Sequence, residues 1–418
     1  MSYKPRIIEE ELKVKLGASG AVLIRGPKSC GKTETAMQFA NSVLQVDQDE
    51  QVPYMMQTEP KRLLLGKIPR LIDEWQEQPK LWTYIRHEID KRKDKAQFIL
   101  TGSSTPAESV KMHSGAGRFT ILNMRTMSWH EMGYSSGKTS LKNLLENKRI
   151  KISDESGIDL ETIIDRMIQG GWPALLGLKV KEAALINRAY IDLLAEADMS
   201  RVSDTKRDPV KVKNILKSLA RNTATLVENT TIIKDIKENE NQEISRPTVT
   251  DYLNALSRLM ITEDQPAWNT HIRSSASLRK SPKRHLTDVS LSIAALGADK
   301  NSLLQDIKFT GFLFESLVTH DLRAYAQAND ATVNYYRDSS GLEIDAIVQK
   351  YNGDWAAFEI KLGIGMIEDA AKNLLQFVSI LDTQKIPKPK SLNIITGTGA
   401  SYTRPDGINV ISLSSIGI

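Results

Sequence analysis

The sequence has few of the residues that stabilise small secreted proteins or anchor a chain in a membrane. Cys30 is the one cysteine among 418 residues, which excludes an internal disulfide and favours a reducing compartment. Six histidines beside one thiol form no recognisable zinc-ligand spacing. No apolar run approaches the roughly 18 residues of a membrane-spanning helix, and the first residues lack the apolar segment of a signal peptide. We therefore expect a cytoplasmic protein without a membrane partner.

A large excess of one charge is also missing. The net charge is +5, which by itself does not argue for nucleic acid as a partner. Residues 206–287, however, hold 15 lysines and arginines against 9 acidic residues. The basic excess is therefore confined to one middle segment of the chain.

The pattern of apolar residues predicts an α/β protein of several domains. Short apolar runs alternate with helical stretches up to about residue 138, which is typical of a parallel sheet in a P-loop ATPase domain. We expect a helical lid segment at 139–205, a winged-helix domain at 206–290, and an α/β domain like that of restriction endonucleases at 300–418.

A phosphate-binding motif follows the apolar strand Ala21–Ile24 directly. Its glycines let backbone N–H groups converge on phosphate oxygens at the start of a helix. Lys32 is expected to reach the β- and γ-phosphates of ATP, and Thr33 to ligate Mg²⁺. The motif comprises Gly26, Pro27, Lys28, Ser29, Cys30, Gly31, Lys32 and Thr33.

A second apolar strand ends in two acidic residues, Asp73 and Glu74. In such a pair the aspartate binds Mg²⁺ and the glutamate polarises the attacking water. The alternative is an acidic strand end that caps the next helix.

Two further polar positions are candidates for the same site. The apolar run Phe98-Ile99-Leu100 leads into a turn with hydroxyl groups, including Ser103, that can face the γ-phosphate. Arg118 can stabilise transition-state charge as an arginine finger, in its own chain or in a neighbouring subunit. A plain structural ion pair explains Arg118 equally well.

The order of these motifs resembles a family of prokaryotic AAA-type ATPases. The segments GPKSCGKT, PRLIDEWQ, QFILTGSS, SGAGRF and MRTMSWHEMG carry the likeness, which extends over nearly the whole chain. The resemblance implies an archaeal-style helical and winged-helix middle and a C-terminal domain of unknown function. It assigns Lys32 and Thr33 to Walker A, Asp73 and Glu74 to Walker B, and Ser103, or else Thr101, to sensor 1.

The basic middle segment contains a well-specified helix. Apolar residues recur on one face from Val249 to Met260, and Ser245 is the expected N-cap. Two shorter helical pieces precede it, and the Met260–Trp268 stretch can form a wing. Asp251 is unfavourable beside phosphate, so docking of a protein is an alternative to docking of DNA. Candidate contacts with bases are Arg246, Thr248, Thr250 and Asn254.

Basic residues that follow this helix are either phosphate contacts or a solvated surface. They are Arg273, Arg279, Lys280, Lys283 and Arg284.

The C-terminal part contains two alternating strands, Leu342–Gln349 and Trp355–Lys361. We expect Leu342, Ile344, Ala346 and Val348 to share one face of the first strand. A three-residue loop, Asn352-Gly353-Asp354, brings the polar faces together and sets Asp345 opposite Lys361.

This arrangement resembles the core of PD-(D/E)xK nucleases. The resemblance implies that Asp345 and Glu359 hold Mg²⁺ and that Lys361 orients the attacking water. Glu315, on a helix predicted over Gly311–Ala328, and Glu343 add carboxylates. The alternative is a half-exposed hairpin with solvated cross-strand ion pairs.

We therefore expect an ATPase that uses Mg²⁺ and couples its nucleotide state to DNA through the middle and C-terminal domains. One alternative is a Mg²⁺-dependent deoxyribonuclease gated by ATP. Another is a switch that binds ATP without hydrolysis and docks a protein partner or a second copy of the chain.

Overall fold

The structure is a computed structural model that describes residues 3–102, 115–148, 150, 158–201, 207–268, 281–382 and 386–418. Within those ranges, no helix has the length and apolar character needed to cross a membrane. Short 3₁₀ turns occur at Pro60–Leu64, Trp75–Glu77, Pro173–Leu175 and Ile364–Met366, and a π-helical turn at Leu194–Asp198.

The N-terminal part is a parallel sheet flanked by helices. Its described strands lie in the order β2, β3, β4, β1, β5, so β4 separates β3 from β1. Because all of them run in parallel, their carboxyl ends meet at one edge of the sheet. The elements are α1 Glu9–Ala18, β1 Ala21–Arg25, α2 Lys32–Met37, β2 Ser42–Gln45, α3 Val52–Thr58, β3 Arg70–Asp73, α4 Leu81–Arg92, β4 Phe98–Gly102, β5 Phe119–Asn123 and α5 Trp129–Met132.

The middle of the chain is helical, as expected. Its elements are β6 Thr139–Ser140, α6 Leu141–Leu145, α7 Leu160–Gln169, α8 Val180–Leu193, α9 Met199–Arg201, α10 Pro209–Arg221, β7 Thr225–Leu226, α11 Asn229–Glu240, α12 Arg246–Arg258, β8 Lys283–Arg284, α13 Val289–Leu296 and α14 Lys300–Gln305.

Helices α10, α11 and α12 pack around one apolar core through residues such as Leu216, Ile232 and Leu256. The expected N-cap of α12 is confirmed, because the Ser245 hydroxyl accepts a hydrogen bond from the Thr248 N–H group. Strand β7 pairs with β8, and Gln265 bridges to Lys283 on the same ladder. Residues 269–280, which lie between Gln265 and Lys283 in the sequence, are outside the described residues.

The C-terminal part is a mixed sheet between two helices. Its elements are α15 Ile307–Gln327, β9 Ala331–Arg337, β10 Glu343–Lys350, β11 Trp355–Lys361, α16 Ile367–Ile380, β12 Leu392–Thr396, β13 Tyr402–Thr403, β14 Asn409–Ser412 and β15 Ile416–Gly417. The described strands lie in the order β13, β14, β12, β11, β10, β9, with β9, β10 and β11 antiparallel and β11, β12 and β14 parallel. Helix α15 packs on one face and α16 on the other. Along the chain the order is a helix, three strands, a second helix and further strands.

The register of the β10–β11 hairpin differs from the prediction. The loop has three residues, as expected, but it is formed by 351–353, because Lys350 already bonds to Asp354. Ala346 pairs with Phe358, and this register, continued by one residue, sets Asp345 opposite Glu359 rather than opposite Lys361. Because the loop length is odd, as predicted, Asp345 still faces the same side of the sheet as its predicted partner. The predicted partner of Asp345 is wrong by two residues.

The predicted apolar face of β10 is also wrong. A register irregularity between Ile344 and Ile347 adds one residue to the strand. Ile344 therefore packs toward α16, whereas Ala346 and Val348 pack toward α15. A bulge reverses the alternation of side chains beyond it, which simple period-two reading cannot anticipate.

One apolar core contains residues from both sides of residue 138. Trp129 and Leu144 lie in the same apolar cluster as Phe314 and Ile416. Strand β15 pairs in parallel with β6, so the end of the chain is attached to the segment that follows the first sheet.

Candidate functional sites

The predicted phosphate-binding motif forms a tight turn between β1 and α2. A Cβ atom at Gly26 would lie 2.1 Å from the carbonyl oxygen of Met124, so only glycine fits beside the end of β5. Gly31 has a φ of 99° and Ser29 a φ of 65°, both in the left-handed region. This conformation turns backbone N–H groups toward the start of α2, where an anion is stabilised.

The two functional side chains of this turn are positioned differently. Lys32 is buried and its Nζ donates to the carbonyl oxygens of Gly26 at 3.0 Å and Pro27 at 2.9 Å. The Thr33 hydroxyl donates to Asp73 Oδ1 at 2.8 Å, across the gap from α2 to the end of β3. Thr101 lies on β4, the strand next to β3, and its buried hydroxyl also donates to Asp73 Oδ1.

Glu74 lies directly after Asp73 at the edge of the sheet. Its backbone is left-handed, with a φ of 50°, which is uncommon for a residue other than glycine. Burial raises the pKa of its carboxyl, while a hydrogen bond from the Gln76 amide and the charge of Lys32 act in the opposite direction. A carboxylate with a raised pKa is better matched to proton transfer near neutral pH.

A cavity of 890 Å³ opens beside the phosphate-binding turn. Its lining includes Lys32, Thr33 and Glu74 together with apolar residues such as Met127 and Leu176. This combination of charged and apolar walls suits a nucleotide, which has a charged phosphate tail and a flat base.

Arg6 supports the turn and was not a candidate from the sequence. Its guanidinium donates to the carbonyl oxygens of Cys30 at 2.8 Å and Arg125 at 2.9 Å, and to Glu131 Oε1 at 2.9 Å. It therefore connects the phosphate-binding turn to the chain that follows β5. No local pattern marks Arg6, because the partners of its guanidinium are all distant in sequence.

Ser103 and Arg118 are also predicted for this site. Ser103 lies outside the described residues. Arg118 precedes β5 at the amino edge of the sheet, opposite the phosphate-binding turn, and pairs with Asp90 at 2.9 Å. The structure thus places Arg118 in an ion pair away from the nucleotide site of its own chain, and a role in a neighbouring subunit stays a prediction.

The candidate DNA-contacting residues lie at the start of α12. Arg246, Thr250 and Asn254 are exposed, and Thr248 is half-buried beside the cap. Asp251, which is unfavourable beside phosphate, forms a two-point ion pair with Arg207, with both distances 2.9 Å. The partner therefore neutralises the acid on this helix.

Much of the positive charge of the middle segment is paired with acidic residues of the same chain. Lys217 and Arg221 on α10 bind Glu240 at 2.8 and 2.9 Å, and Arg221 also binds Asp235. Lys213 binds Asp192 at 2.7 Å. The basic excess in the sequence therefore overstates the positive surface offered to a partner.

The predicted C-terminal residues do meet in space. Lys361 Nζ lies 2.6 Å from Glu359 Oε2 and 3.1 Å from Asp345 Oδ2. Asp345 also accepts from the Ile360 N–H group at 2.8 Å. Asn373 on α16 donates to Glu359 Oε1 at 2.8 Å. The cluster is largely buried, so a solvated hairpin is not what the structure contains.

Lys283 completes this cluster, which corrects its prediction as a phosphate contact or a solvated residue. Its side chain is 1% exposed, and Nζ lies 2.6 Å from Glu315 Oε1, 2.6 Å from Glu343 Oε1 and 3.7 Å from Asp345 Oδ1. The neighbouring Arg284 pairs with Asp264. Arg273, Arg279 and Lys280 lie outside the described residues.

The protonation of the cluster follows from burial and from these two lysines. Burial raises the pKa of Glu315 to about 7, and Lys283 opposes this rise. Burial and the charge of Asp345 raise the pKa of Glu359 to about 8. Burial would also raise the pKa of Asp345, but Lys361 and Lys283 hold it below its ordinary value. The carboxylates raise the pKa of Lys283 despite its burial, so it remains an ammonium.

Known families match the chain in three successive segments. Residues 18–133 match the family model of an AAA domain, residues 160–302 a domain of unknown function (DUF8612), and residues 310–416 a second domain of unknown function (DUF4143). The uncharacterized protein Rv2008c of Mycobacterium tuberculosis is 23% identical over 367 residues, which cover 86% of this chain and 74% of that protein.

Two solved structures are similar in outline. The Walker-type ATPase PABY2304 of Pyrococcus abyssi has a TM-score of 0.41 and 11% identity, covering 69% of this chain and 94% of that one. The Orc1 protein of Aeropyrum pernix, solved in complex with DNA, has a TM-score of 0.28 and 13% identity, covering 72% and 95%. At these TM-scores the similarity carries no functional argument.

The sheet, the phosphate-binding turn and the family match agree on the class of the first domain. Residues 18–133 are an AAA-type P-loop ATPase domain, which implies nucleotide binding. The chain as a whole joins this domain to two domains whose families have no assigned function.

Proposed function

We propose that the N-terminal domain binds ATP with Mg²⁺ and hydrolyses it. The observation that carries this proposal is the 2.8 Å hydrogen bond from Thr33 to Asp73, with Lys32 and Glu74 as their immediate neighbours in the chain. The hydroxyl and the carboxylate belong to different elements, so sequence spacing alone does not bring them together.

These residues fit a magnesium ion and an attacking water. Thr33 and Asp73 offer the oxygen ligands that Mg²⁺ prefers, and substrate phosphates supply further ligands in such sites. The ion, when bound, neutralises charge on the transferred phosphoryl group. Thr101 orients Asp73, Lys32 holds the phosphates, and Glu74 accepts a proton from water.

The direct test is steady-state ATP turnover in the presence of Mg²⁺ by the full chain. Lys32→Ala is expected to abolish turnover, because the phosphates lose their buried cation. Lys61→Ala is the matched control, since Lys61 is an exposed lysine of the same domain. Equal turnover by Lys32→Ala and the wild type would overturn the proposal.

We also propose that the middle segment is a winged helix that contacts duplex DNA. Three packed helices followed by a small antiparallel ladder support this reading of 207–290. The observation that favours DNA is the exposed start of α12, where Arg207 neutralises Asp251 and Arg246 faces outward. Docking of a protein partner or a second copy of the chain is the competing reading.

For residues 307–412 we propose a fold like that of restriction endonucleases. The order of helix α15, three antiparallel strands, helix α16 and a parallel strand supports it, as does the contact of Asp345 and Glu359 with Lys361. We do not extend this proposal to cleavage of DNA, because fold alone does not confer activity.

A further inference from the structure

The C-terminal ion cluster contains four carboxylates and two lysines. Its members are Glu315, Glu343, Asp345, Glu359, Lys283 and Lys361. A hard divalent cation in a protein takes its ligands from several oxygens that point at one position. Among the described residues, no group of three or more histidine, cysteine, aspartate or glutamate side chains is placed to hold a metal ion. The cluster therefore has the residue types of a metal site, but its carboxylate oxygens do not point at one common position.

Two ammonium groups occupy the space between the carboxylates instead. Lys283 lies between Glu315, Glu343 and Asp345, and Lys361 lies between Asp345 and Glu359. Each ammonium makes at least one contact of 2.6 Å, which is short even for a charge-assisted hydrogen bond. Asp345 is shared by both and is thereby compensated without a metal.

Lys283 belongs to β8 of the middle segment, and its side chain extends into the cluster of C-terminal carboxylates. Hydrogen bonds fix its backbone. Its N–H group donates to the Gln265 carbonyl at 3.0 Å, and its own carbonyl accepts from the Gln265 N–H group at 2.9 Å. The Gln265 side-chain amide in turn donates to the carbonyl oxygens of Asp345 at 2.9 Å and Asn334 at 3.1 Å.

A second contact holds the chain just before this strand. The hydroxyl of Tyr335, on β9, donates to the Ser281 carbonyl at 2.6 Å, two residues before Lys283. The Tyr335 ring lies 6.0 Å from Lys283 Nζ. The C-terminal sheet therefore contacts the Lys283 side chain directly, and it contacts the neighbouring backbone through Ser281 and the Gln265 side chain.

We propose that Lys283 is a built-in cation that stands in place of a divalent metal and ties the middle segment to the C-terminal domain. The cluster is then an interdomain joint and neither binds Mg²⁺ nor cleaves phosphodiesters. Removing one partner of a buried ion cluster leaves uncompensated charge, so such a joint resists separation. This proposal is independent of ATP hydrolysis by the N-terminal domain.

The test is chemical rescue of Lys283→Ala by Mn²⁺, measured as the midpoint of thermal unfolding of the full chain without nucleotide. We expect Lys283→Ala to unfold several degrees below the wild type, and Mn²⁺ to recover part of that loss by entering the opened cluster. Mn²⁺ should shift the wild type much less. Lys308→Ala, which removes an exposed lysine at the start of α15, is the matched control.

The double variant Lys283→Ala with Asp345→Asn identifies where the rescuing ion binds. Loss of the rescue in this variant supports the proposal, because Asp345 is the carboxylate shared by both lysines. Failure of Mn²⁺ to stabilise Lys283→Ala beyond its effect on the wild type would overturn the claim that Lys283 occupies a cation position.

A measurement on the wild type keeps the proposal testable if Lys283→Ala does not fold. Mn²⁺ binding is measured on the nucleotide-free wild type and on Asp345→Asn. The readout is the loss of the electron paramagnetic resonance signal of free Mn²⁺. Equal binding by the two proteins supports the joint. Binding that Asp345→Asn removes, or Mg²⁺-dependent DNA cleavage that Glu359→Gln abolishes, would overturn it.

Discussion

Asp73 and Asp345 show how the partners of one residue type decide what it can do. Asp73 accepts from the neutral hydroxyls of Thr33 and Thr101, which leaves its negative charge for the cation of the proposed ATP site. Asp345 is bound by two ammonium groups and a backbone N–H group. The first aspartate is prepared for a ligand, and the second is already compensated within the chain.

The raised pKa of Glu359 predicts a pH dependence of stability at the same scale. The folded protein keeps this proton up to a pKa of about 8, whereas an unfolded glutamate loses it near its ordinary value of 4.5. Between those values the native state binds more protons, so the free energy of unfolding falls as pH rises. Glu359→Gln keeps the neutral shape of the side chain and should reduce this fall.

The measurement is urea unfolding at about pH 5.5 and about pH 8.5, within the window set by this linkage. Glu238→Gln is the control, because Glu238 is an exposed acid of α11. Parallel pH profiles for the wild type and Glu359→Gln would show that Glu359 does not carry a raised pKa in the folded chain.

At the scale of elements, helix α12 is the clearest candidate for contact with a partner. Its buried face packs on the middle core through Val249, Leu253 and Leu256, while Arg246 and Asn254 lie on the exposed side. Basic residues of α10 are engaged in ion pairs. We therefore expect Arg246 to contribute much of the electrostatic attraction between this surface and a partner.

We predict that Arg246→Ala weakens binding to duplex DNA several-fold at low salt. Loss of one phosphate contact should also lower the slope of log affinity against log salt by about 0.9. A fluorescence anisotropy titration at several salt concentrations measures both quantities. Lys234→Ala, on the exposed side of α11, should change neither by a comparable amount. Absent or salt-insensitive binding would instead favour protein docking.

A three-way ion cluster joins elements from all three parts of the chain. Arg125 follows β5 and binds Glu263 with distances of 2.5 and 2.9 Å. Arg323 of α15 lies 3.9 Å from the same carboxylate. Burial opposes ionisation of Glu263, but the two arginines hold its pKa well below the ordinary value. The chain next to the nucleotide site is thereby connected to both following domains.

What the sequence could predict depended on how local each feature is. The phosphate-binding turn, Asp73 and Glu74 are defined by spacing over a few residues, and the structure brings them together as expected. The bounds of β11 follow from its alternation and agree with the structure. Such features depend on backbone geometry within one element and its turn.

Features that depend on distant contacts were beyond the sequence. The bulge in β10 reverses its apolar faces, and the hairpin loop begins one residue earlier than expected, which shifts Asp345 by two positions. Lys283 reaches carboxylates 32 to 62 residues away, and no periodicity marks a lysine for burial. Only the assembled fold brings this cation to the cluster.

At the scale of the whole molecule, the three parts of the chain are joined by shared cores and ion clusters. The segment after the first sheet packs in one core with the C-terminal helices and strands, and β15 pairs with β6. Lys283 and Glu263 add ionic joints between the middle and C-terminal parts. These connections are among the described contacts by which the three parts of the chain meet.

The central claim is that Glu74 activates water in a site that binds ATP independently of it. ATP affinity and steady-state turnover are therefore measured on the same preparation of Glu74→Gln, beside the wild type and Glu77→Gln, an exposed neighbour. We predict that turnover by Glu74→Gln falls about 10²- to 10⁴-fold, while its ATP affinity stays within about threefold of the wild type. Turnover by Glu74→Gln equal to that of the wild type would contradict the account.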